Sequence, residues 1–381
     1  MTFRKFHINE FPQDRVFVYL KEDFHQQLFS SIRKYKFKDF NKIYFENRLN
    51  WSTFKQWKKR NTDLKIRIKQ HFLPLWFIIK LSQIFPEYSI NVFEKNIVAM
   101  KGPSSSKIIL NPNLPLLEDE RLMKIIAHFL ADGHVSGAFG TGLPKGKSHS
   151  EYRNFDKGLL NKFEKDMGLF GTIKLSKDYD HGHVIVPNLI GYILTYLYGI
   201  KFDCFNSRVP KRLFYLPRKL ISAFLRAFGD DEGYVYDSSI EYYSNNNALL
   251  NDILILINFK FPEIKTSNIK MNTKAGKNTK YSFKIYHCSQ YKYLNLIGFD
   301  HQQKERDLLF NLKRKGKNYK INKKVILLGK LSNHSSTAKQ LSRELRIRHS
   351  TILEYLNYYK KIGFVYVSKK EGWSYIWSLR N

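Results

Sequence analysis

Two acidic residues, Asp132 and Glu232, lie 100 residues apart in a chain of 381, and each is followed by glycine. Before them run Ile125-Ile126-Ala127-His128-Phe129-Leu130-Ala131 and Leu225-Arg226-Ala227-Phe228-Gly229-Asp230-Asp231. Two carboxylates delivered to one place can hold a hard divalent cation, and Mg²⁺ pairs readily with carboxylate and phosphate oxygens. Held against a phosphodiester, such a metal activates water and stabilises the departing oxygen. Either acid alone reads as an ordinary helix C-cap. In matched contexts the pair reads as a metal-dependent hydrolytic site.

Helices must position these acids. Apolar residues recur at Leu122, Ile125, Ile126, Phe129 and Leu130, and again at Leu220, Ile221, Phe224, Leu225 and Phe228. That i, i+3, i+4 spacing predicts two helices with wide buried stripes. Ala127 and Ala131 in one stripe, and Ala223 and Ala227 in the other, permit close backbone approach. The helices are therefore expected to pack side by side and present both acids at one end. Gly133 and Gly233 are expected to end them with positive φ. A carboxylate at a helix C-terminus opposes the helix dipole, which a bound cation would offset.

Beyond Gly133 the pattern changes to alternation, with His134, Ser136 and Ala138 opposed to Val135, Gly137 and Phe139. A turn rich in Gly and Lys leads to a strand over 150–155 and a helix over 157–169. Strands over 172–177 and 182–186 precede an apolar helix ending near Leu197. The second half repeats this order: helix 217–231, strands 234–237 and 240–244, helix 247–259, strands 264–273 and 280–287, helix 291–297. Each half reads αββαββα, which predicts an internal duplication. Lys270, Asn272 and Lys274 alternate with Ile269 and Met271, and Lys280, Ser282, Lys284 and Tyr286 with Tyr281, Phe283 and Ile285. One sheet face should pack on helices, while the other is cationic. Strands can enter the major groove, and lysines there mainly contact phosphates.

The two acid-bearing stretches resemble the signature of the LAGLIDADG homing endonucleases, in the single-chain form with two motifs. The resemblance spans roughly residues 105–312. It implies an α+β fold of two pseudo-symmetric αββαββα subdomains, about 118–200 and 215–312, forming a saddle of two antiparallel sheets. It also implies Mg²⁺-dependent double-strand cleavage of a long asymmetric DNA site, leaving 3′ overhangs. The family's catalytic acid precedes the terminal glycine, which maps to Asp132 and Glu232, and Gly133 and Gly233 complete the implied metal site. Family members carry a basic residue near each scissile phosphate. Lys304 fits that place in the second half, and Arg208 or Lys211 in the first. The implied DNA contacts are His134, Ser136, Arg153, Lys174, Tyr234 and Tyr236, with Lys270, Asn272, Lys274, Lys280 and Lys284. His128 in the first motif, and Gly229 and Asp231 in the second, depart from the family pattern.

The flanks read as helical DNA-binding domains. Residues 1–100 look mostly helical and basic, with helices over 24–34 and 37–45, and the run Trp51 to Arg60 completes a helix-turn-helix pattern. Phe54 and Trp57 share one face of that run, and an apolar helix from His71 to Phe85 closes the region. Residues 101–118 read as a linker. A basic linker over 313–320 precedes a winged helix over 321–381, with helices at 321–331, 336–345 and 350–362 and a two-stranded wing.

Lys and Arg outnumber Asp and Glu by 65 to 33, a formal net charge of +32, which points to a polyanionic partner. Double-stranded DNA fits, and RNA fits if the chain is an intron maturase. No run approaches the ~18 apolar residues of a membrane helix. The start, Met1 to Phe6, lacks the apolar core of a secretion signal. Cys204 and Cys288 show no metal-site spacing and are expected in the core of a protein from a reducing cytoplasmic or organellar interior. With both motifs on one chain, a monomer is expected. Two further readings stay open: a catalytically silent DNA-binding regulator on the same scaffold, and a maturase. The chain begins with Met1 and ends Leu379-Arg380-Asn381, so an intein is not expected.

Overall fold

The computed structural model describes residues 3–46, 49–58, 72–103, 107–135, 150–178, 180–202, 205–272, 279–314, 327–328, 330–331, 335–361, 363–372 and 374–380. It is a mixed α/β protein with several antiparallel sheets and many helices. One contiguous apolar cluster runs from Phe6 to Leu308, and a second gathers residues from Leu327 to Trp377.

The N-terminal region comprises β1 (Lys5–Phe6), β2 (Phe17–Leu20), α1 (Glu22–Ile32), α2 (Phe37–Phe45), α3 (Trp51–Lys58), β3 (Leu73–Pro74), α4 (Leu75–Ile84), α5 (Ile90–Asn96), β4 (Ile97–Lys101), β5 (Ile108–Leu110) and β6 (Leu116–Leu117). Phe54 of α3 joins Phe29, Phe37, Phe40 and Phe77 in an aromatic cluster. Asn41 clamps the turn before α3, donating to the Leu49 carbonyl at 3.0 Å and accepting from the Leu49 N–H at 2.9 Å. Lys59, Arg60 and His71 lie outside the described residues.

Among the described residues, 1–100 are mostly helical, and short strands β1 to β4 also run through them. One expectation changes here. Residues 101–118 are not a linker. Strand β5 pairs with β4, and β6 pairs with β1. Ile109 is fully buried and Leu116 nearly so. Burying each such side chain contributes about 1.5–3 kcal/mol, which outweighs the local preference of the neighbouring Pro, Asn and Ser for turns.

The central region has two parts. The first holds α6 (Glu120–Ala131), β7 (Gly133–Val135), β8 (Ser150–Arg153), α7 (Lys157–Met167), β9 (Thr172–Ile173), β10 (Ser176–Asp178), β11 (His183–Val186) and α8 (Asn188–Tyr198). The second holds α9 (Arg218–Glu232), β12 (Gly233–Val235), β13 (Ser239–Ser244), α10 (Asn247–Lys260), β14 (Lys270–Asn272), β15 (Lys280–Tyr286), α11 (Gln290–Leu296) and α12 (Gln302–Arg314). Side chains set several helix starts: Asp119 accepts from the Leu122 N–H at 3.2 Å, Asp156 from Leu159 at 2.8 Å and Asn246 from Leu249 at 3.0 Å. Each cap satisfies a donor that the first turn leaves unpaired.

Both four-stranded sheets share one connectivity, β7-β8-β11-β10 and β12-β13-β15-β14, with every neighbouring pair antiparallel. The strand expected over 172–177 is divided. Its start, β9, pairs with β5 in the N-terminal sheet β3-β2-β4-β5-β9, and its end, β10, pairs with β11. In the other half β14 is an edge strand, and Met271, expected to face the core, is 66% exposed. Helix α12 went unread in the sequence. Cys288 is exposed rather than core, and Cys204 lies outside the described residues.

The C-terminal part contains β16 (Ser336–Thr337), α13 (Ala338–Leu345), α14 (His349–Lys361), β17 (Val365–Glu371) and β18 (Ser374–Leu379), with sheet order β16-β18-β17. Thr337 and Gln340 cap α13 reciprocally. The helix expected over 321–331 falls mostly outside the described residues, although Leu327 and Leu331 are buried. Arg343 donates to Asp307 at 2.6 Å and the His349 N–H donates to Asp237, which ties this part to the second half. A cleft of about 500 Å³ lies between them, lined by Tyr234, Tyr236, Asn311 and Arg343 among others. Among the described residues, no helix is long and apolar enough to cross a membrane.

Candidate active site

Helices α6 and α9 pack along their small-residue stripes. Ala127, Ala223 and Ala227 are at most 1% exposed, as close backbone approach requires. Asp132 caps α6, its N–H donating to the His128 carbonyl at 3.1 Å, and Glu232 is the last residue of α9. The two glycines serve a different purpose from the one expected. Gly233 has φ −91°, and neither Gly133 nor Gly233 has positive φ. Instead, the chain folds tightly back over the last helical turn as it enters β7 or β12. A Cβ on Gly133 would sit 2.4 Å from the Phe129 Cα, and one on Gly233 2.5 Å from the Gly229 carbonyl oxygen.

The two acids meet electrostatically. Burial pushes Asp132 up to about 7, and the Asp231 charge adds to this. Glu232 is pushed up to about 8, first by burial and then by Asp132 and Asp231. The Asp132 charge is thus one cause of the Glu232 shift, as expected for like charges brought close together. By accessible area Asp132 is exposed and Glu232 half-buried. Each therefore keeps an open face, and the burial comes from the concave protein floor around it. A cleft of about 330 Å³ opens at Glu232, lined also by Tyr234, Tyr236 and Lys280.

Lys304 is the cation of this site. Its Nζ donates to the Gly229 carbonyl at 3.2 Å and to the Asp230 carbonyl, at the negative end of α9. It lies 5.5 Å from the Tyr234 ring centroid. Burial lowers its pKa, while Asp230, Asp231, Asp132 and Glu232 pull it back up. Asp230 fixes its approach by accepting the N–H groups of Asp300 at 2.9 Å and His301 at 2.8 Å. That anchors the start of α12, which carries Lys304, against the end of α9.

Beneath the acids lies a polar cluster that the sequence flagged only as departures. Asp231, with a side chain 0% exposed, accepts from Tyr152 Oη at 2.6 Å, Asn154 Nδ2 at 3.1 Å and His128 Nδ1 at 2.8 Å. Burial opposes the charged form of His128, but the Asp231 charge and hydrogen bond, together with Asp230 and Asp166, outweigh it and raise the imidazole pKa. His128 and Asp231 come from opposite helices and are each other's partner.

The remaining candidates separate. Arg208 is not at the site, because Asp252 holds it with two hydrogen bonds of 2.6 Å. Lys211 is exposed at the start of the short 3-10 helix Lys211–Tyr215. Lys280 is near enough to Glu232 to favour its charged form. Tyr234 and Tyr236 are 53% and 46% exposed, and His134, Lys174 and Lys270 are also exposed. Lys174 sits where the chain crosses from β9 to β10, off both core sheets. Arg153 pairs with Glu151 at 2.6 Å, and Lys284 pairs with Glu241. Glu151 and Glu241 occupy matching register positions, opposite His134 and Tyr234, and the sequence reading missed both. Ser136 and Lys274 lie outside the described residues, and of Asn272 only the backbone is described.

No group of three or more His, Cys, Asp or Glu side chains able to hold a metal ion occurs among the described residues. Asp132 and Glu232 still suit a hard dication that finds its remaining oxygens in backbone carbonyls, water and a bound phosphate. The charge of the buried Asp231 disfavours ionisation of both acids, while Lys304 favours it.

No family model matches the sequence. The chain is similar to a probable translation initiation factor IF-2 of Methanocaldococcus jannaschii, 26% identical over 196 residues, covering 47% of this chain and 17% of that protein. It is similar to a DNA polymerase of Thermococcus kodakarensis, 27% identical over 168 residues, covering 42% of this chain and 9% of that protein. A DNA polymerase II large subunit of the same organism is 24% identical over 224 residues, covering 53% and 12%. The chain thus spans between 9% and 17% of the length of these curated relatives. Among solved structures it is similar to I-DmoI in complex with DNA and manganese, with a TM-score of 0.34, 13% identity, and 47% of this chain and 96% of that chain covered. Mesophilic variants of the homing endonuclease I-DmoI give a TM-score of 0.34 at 14% identity, covering 47% and 95%.

Proposed function

We propose that this chain is a site-specific double-strand DNA endonuclease of the LAGLIDADG homing type, dependent on a divalent metal such as Mg²⁺. The observation that carries the proposal is the convergence of Asp132 and Glu232 at the ends of the packed helices α6 and α9, with Lys304 within electrostatic reach of both. The two equally connected sheets form a pseudo-symmetric saddle over the duplex, and the +32 chain supplies the attraction. Tyr234, Tyr236, Lys270 and Lys280 lie along the DNA in one half, and His134 and Arg153 in the other. The C-terminal helices and sheet serve as a winged helix, and α2 and α3 as a helix-turn-helix, so that one chain grips a long asymmetric site as a monomer.

Asp132 and Glu232, with the carbonyls of Gly133 and Gly233, would hold the metal. When bound there, the metal supplies an activated water and charge relief for the leaving oxygen. Lys304 presents an ammonium to the same phosphate and stabilises charge that develops on it. Asp230 keeps the α12 start fixed so that Lys304 does not drift.

The test uses the full chain, Mg²⁺ and a library of long duplexes, with the ends of cut products sequenced. The expected result is one asymmetric site cut on both strands with short 3′ overhangs, with cutting lost in Asp132→Asn and Glu232→Gln. Mg²⁺-dependent cutting that survives both substitutions would overturn the assignment. Tight, specific binding without any cutting would instead support the silent regulator, a reading favoured by the additional C-terminal helix and sheet unit.

A further inference from the structure

Asp231 is a carboxylate one residue from a proposed metal ligand, yet its three hydrogen bonds occupy both oxygens and its side chain has no exposed surface. It cannot serve as a ligand. All three donors belong to the first half: His128 on α6, Tyr152 on β8 and Asn154 just beyond β8. Backbone hydrogen bonds and strand pairing also tie these donors to the Asp132 tip. The His128 carbonyl takes the Asp132 N–H at 3.1 Å, Tyr152 pairs with Gly133 in the sheet register, and the Arg153 N–H donates to the Asp132 carbonyl at 3.2 Å. The carboxylate therefore joins the last turn of α9 to the elements that carry the opposite acid.

The rest of the helix seam is apolar and built on small residues, which resist sliding or rotation only weakly. A single buried polar pair in such a seam specifies register, because any slip leaves its members unpaired. We propose that Asp231, held by His128, Tyr152 and Asn154, is the positioning residue that fixes α9 against α6. It thereby sets the spacing of Asp132 and Glu232. The brace spans both halves but is built on one side only. The residue one hundred positions earlier is Ala131, and the counterpart of His128 is Phe228. The inference rests on those two acids being the metal ligands, and its test has one readout that does not.

The experiment compares the parent chain with His128→Leu/Tyr152→Phe/Asp231→Leu and with Asp231→Asn. The triple substitution refills the site with apolar volume and removes the buried Tyr152 hydroxyl together with its acceptor, an exchange that commonly preserves or raises stability. The expected result is a melting temperature at or above the parent's, with amides of residues 130–133 and 230–233 exchanging at least about tenfold faster. Mn²⁺ affinity is expected to fall about 10- to 100-fold, as for other residues that orient metal ligands. DNA affinity stays within about twofold while single-turnover cutting slows. Asp231→Asn keeps the shape, faces the donors with an amide, and should move the same readouts less. Parent-like amide exchange in both variants overturns the brace. If the parent itself neither binds Mn²⁺ nor cuts DNA, the metal-site reading fails, and the exchange rates still decide the brace.

Discussion

The two halves place a tyrosine at the same point and use it differently. Tyr152 and Tyr242 are the register partners of Gly133 and Gly233, and both are fully buried. Tyr152 donates to Asp231, across the boundary between the halves. Tyr242 shares a hydrogen bond of 2.6 Å with Tyr293 and stays within its own half. At positions one hundred residues apart, His128 lies 4.6 Å from the Tyr152 ring and Phe228 lies 6.2 Å from the Tyr242 ring. Gly229 makes room for the second arrangement, since a Cβ there would lie 2.7 Å from the Tyr242 hydroxyl and 2.9 Å from that of Tyr293. The lesson is that the connectivity is duplicated and the chemistry beneath the acids is not. Lys304 sharpens the contrast, because of its expected first-half counterparts Arg208 pairs with Asp252 and Lys211 is exposed at the start of a 3-10 helix.

The comparison can be tested at several depths. The largest effect is expected at the acids themselves, where the two halves should act alike. Asp132→Asn or Glu232→Gln should each slow cleavage about a thousandfold, the rate equivalent of losing several kcal/mol of transition-state charge stabilisation. If one substitution leaves both strands cut at the parent rate, the halves are not a joint site.

Stability should divide the halves next. Asp231→Ala strands His128 and Tyr152 in the interior and should cost about 3–5 kcal/mol in denaturant unfolding. Tyr242→Phe removes one neutral hydrogen bond and should cost only about 1 kcal/mol. Equal losses would mean that the polar brace carries no special weight. Lys304→Met should slow cutting about 10- to 100-fold with DNA affinity little changed, and strand-resolved kinetics should show which strand depends on it.

The pH dependence follows from Asp132 and Glu232, whose folded-state pKa values of about 7 and about 8 exceed ordinary carboxylate values. Between about pH 4 and 8 the folded form holds more protons than the unfolded one. Metal-free stability should therefore fall as pH rises through that window. Mg²⁺ displaces those protons, so its affinity and its stabilising effect should both grow from pH 6 to pH 8 in calorimetry. A flat Mg²⁺ affinity over that range would separate these acids from the metal. The smallest effect is electrostatic: Lys280→Ala should make the log-log salt slope of DNA binding shallower by about 0.9, without touching the brace.

Much of this was legible in the chain. The i, i+3, i+4 stripes and their alanines require a close helix pair, because apolar spacing dictates which face is buried and small side chains dictate how near a neighbour can come. The alternation in Tyr281, Phe283 and Ile285 foretold the buried face of β15, where Phe283 and Ile285 are fully buried. Lys304 was singled out through resemblance, and its Nζ sits on the last carbonyls of α9. The interior pairing was not, because sequence spacing cannot say which residues of two separate helices will face each other. His128 and Asp231 are 103 positions apart and meet only once α6 and α9 have packed. The same holds for Asp230 with the start of α12, and for β9, which leaves its own sheet to complete the N-terminal one. Even the glycines show the division. Their presence after each acid is plain in the sequence, but whether a turn needs positive φ or merely room for a returning backbone depends on what lies 2.4 Å away.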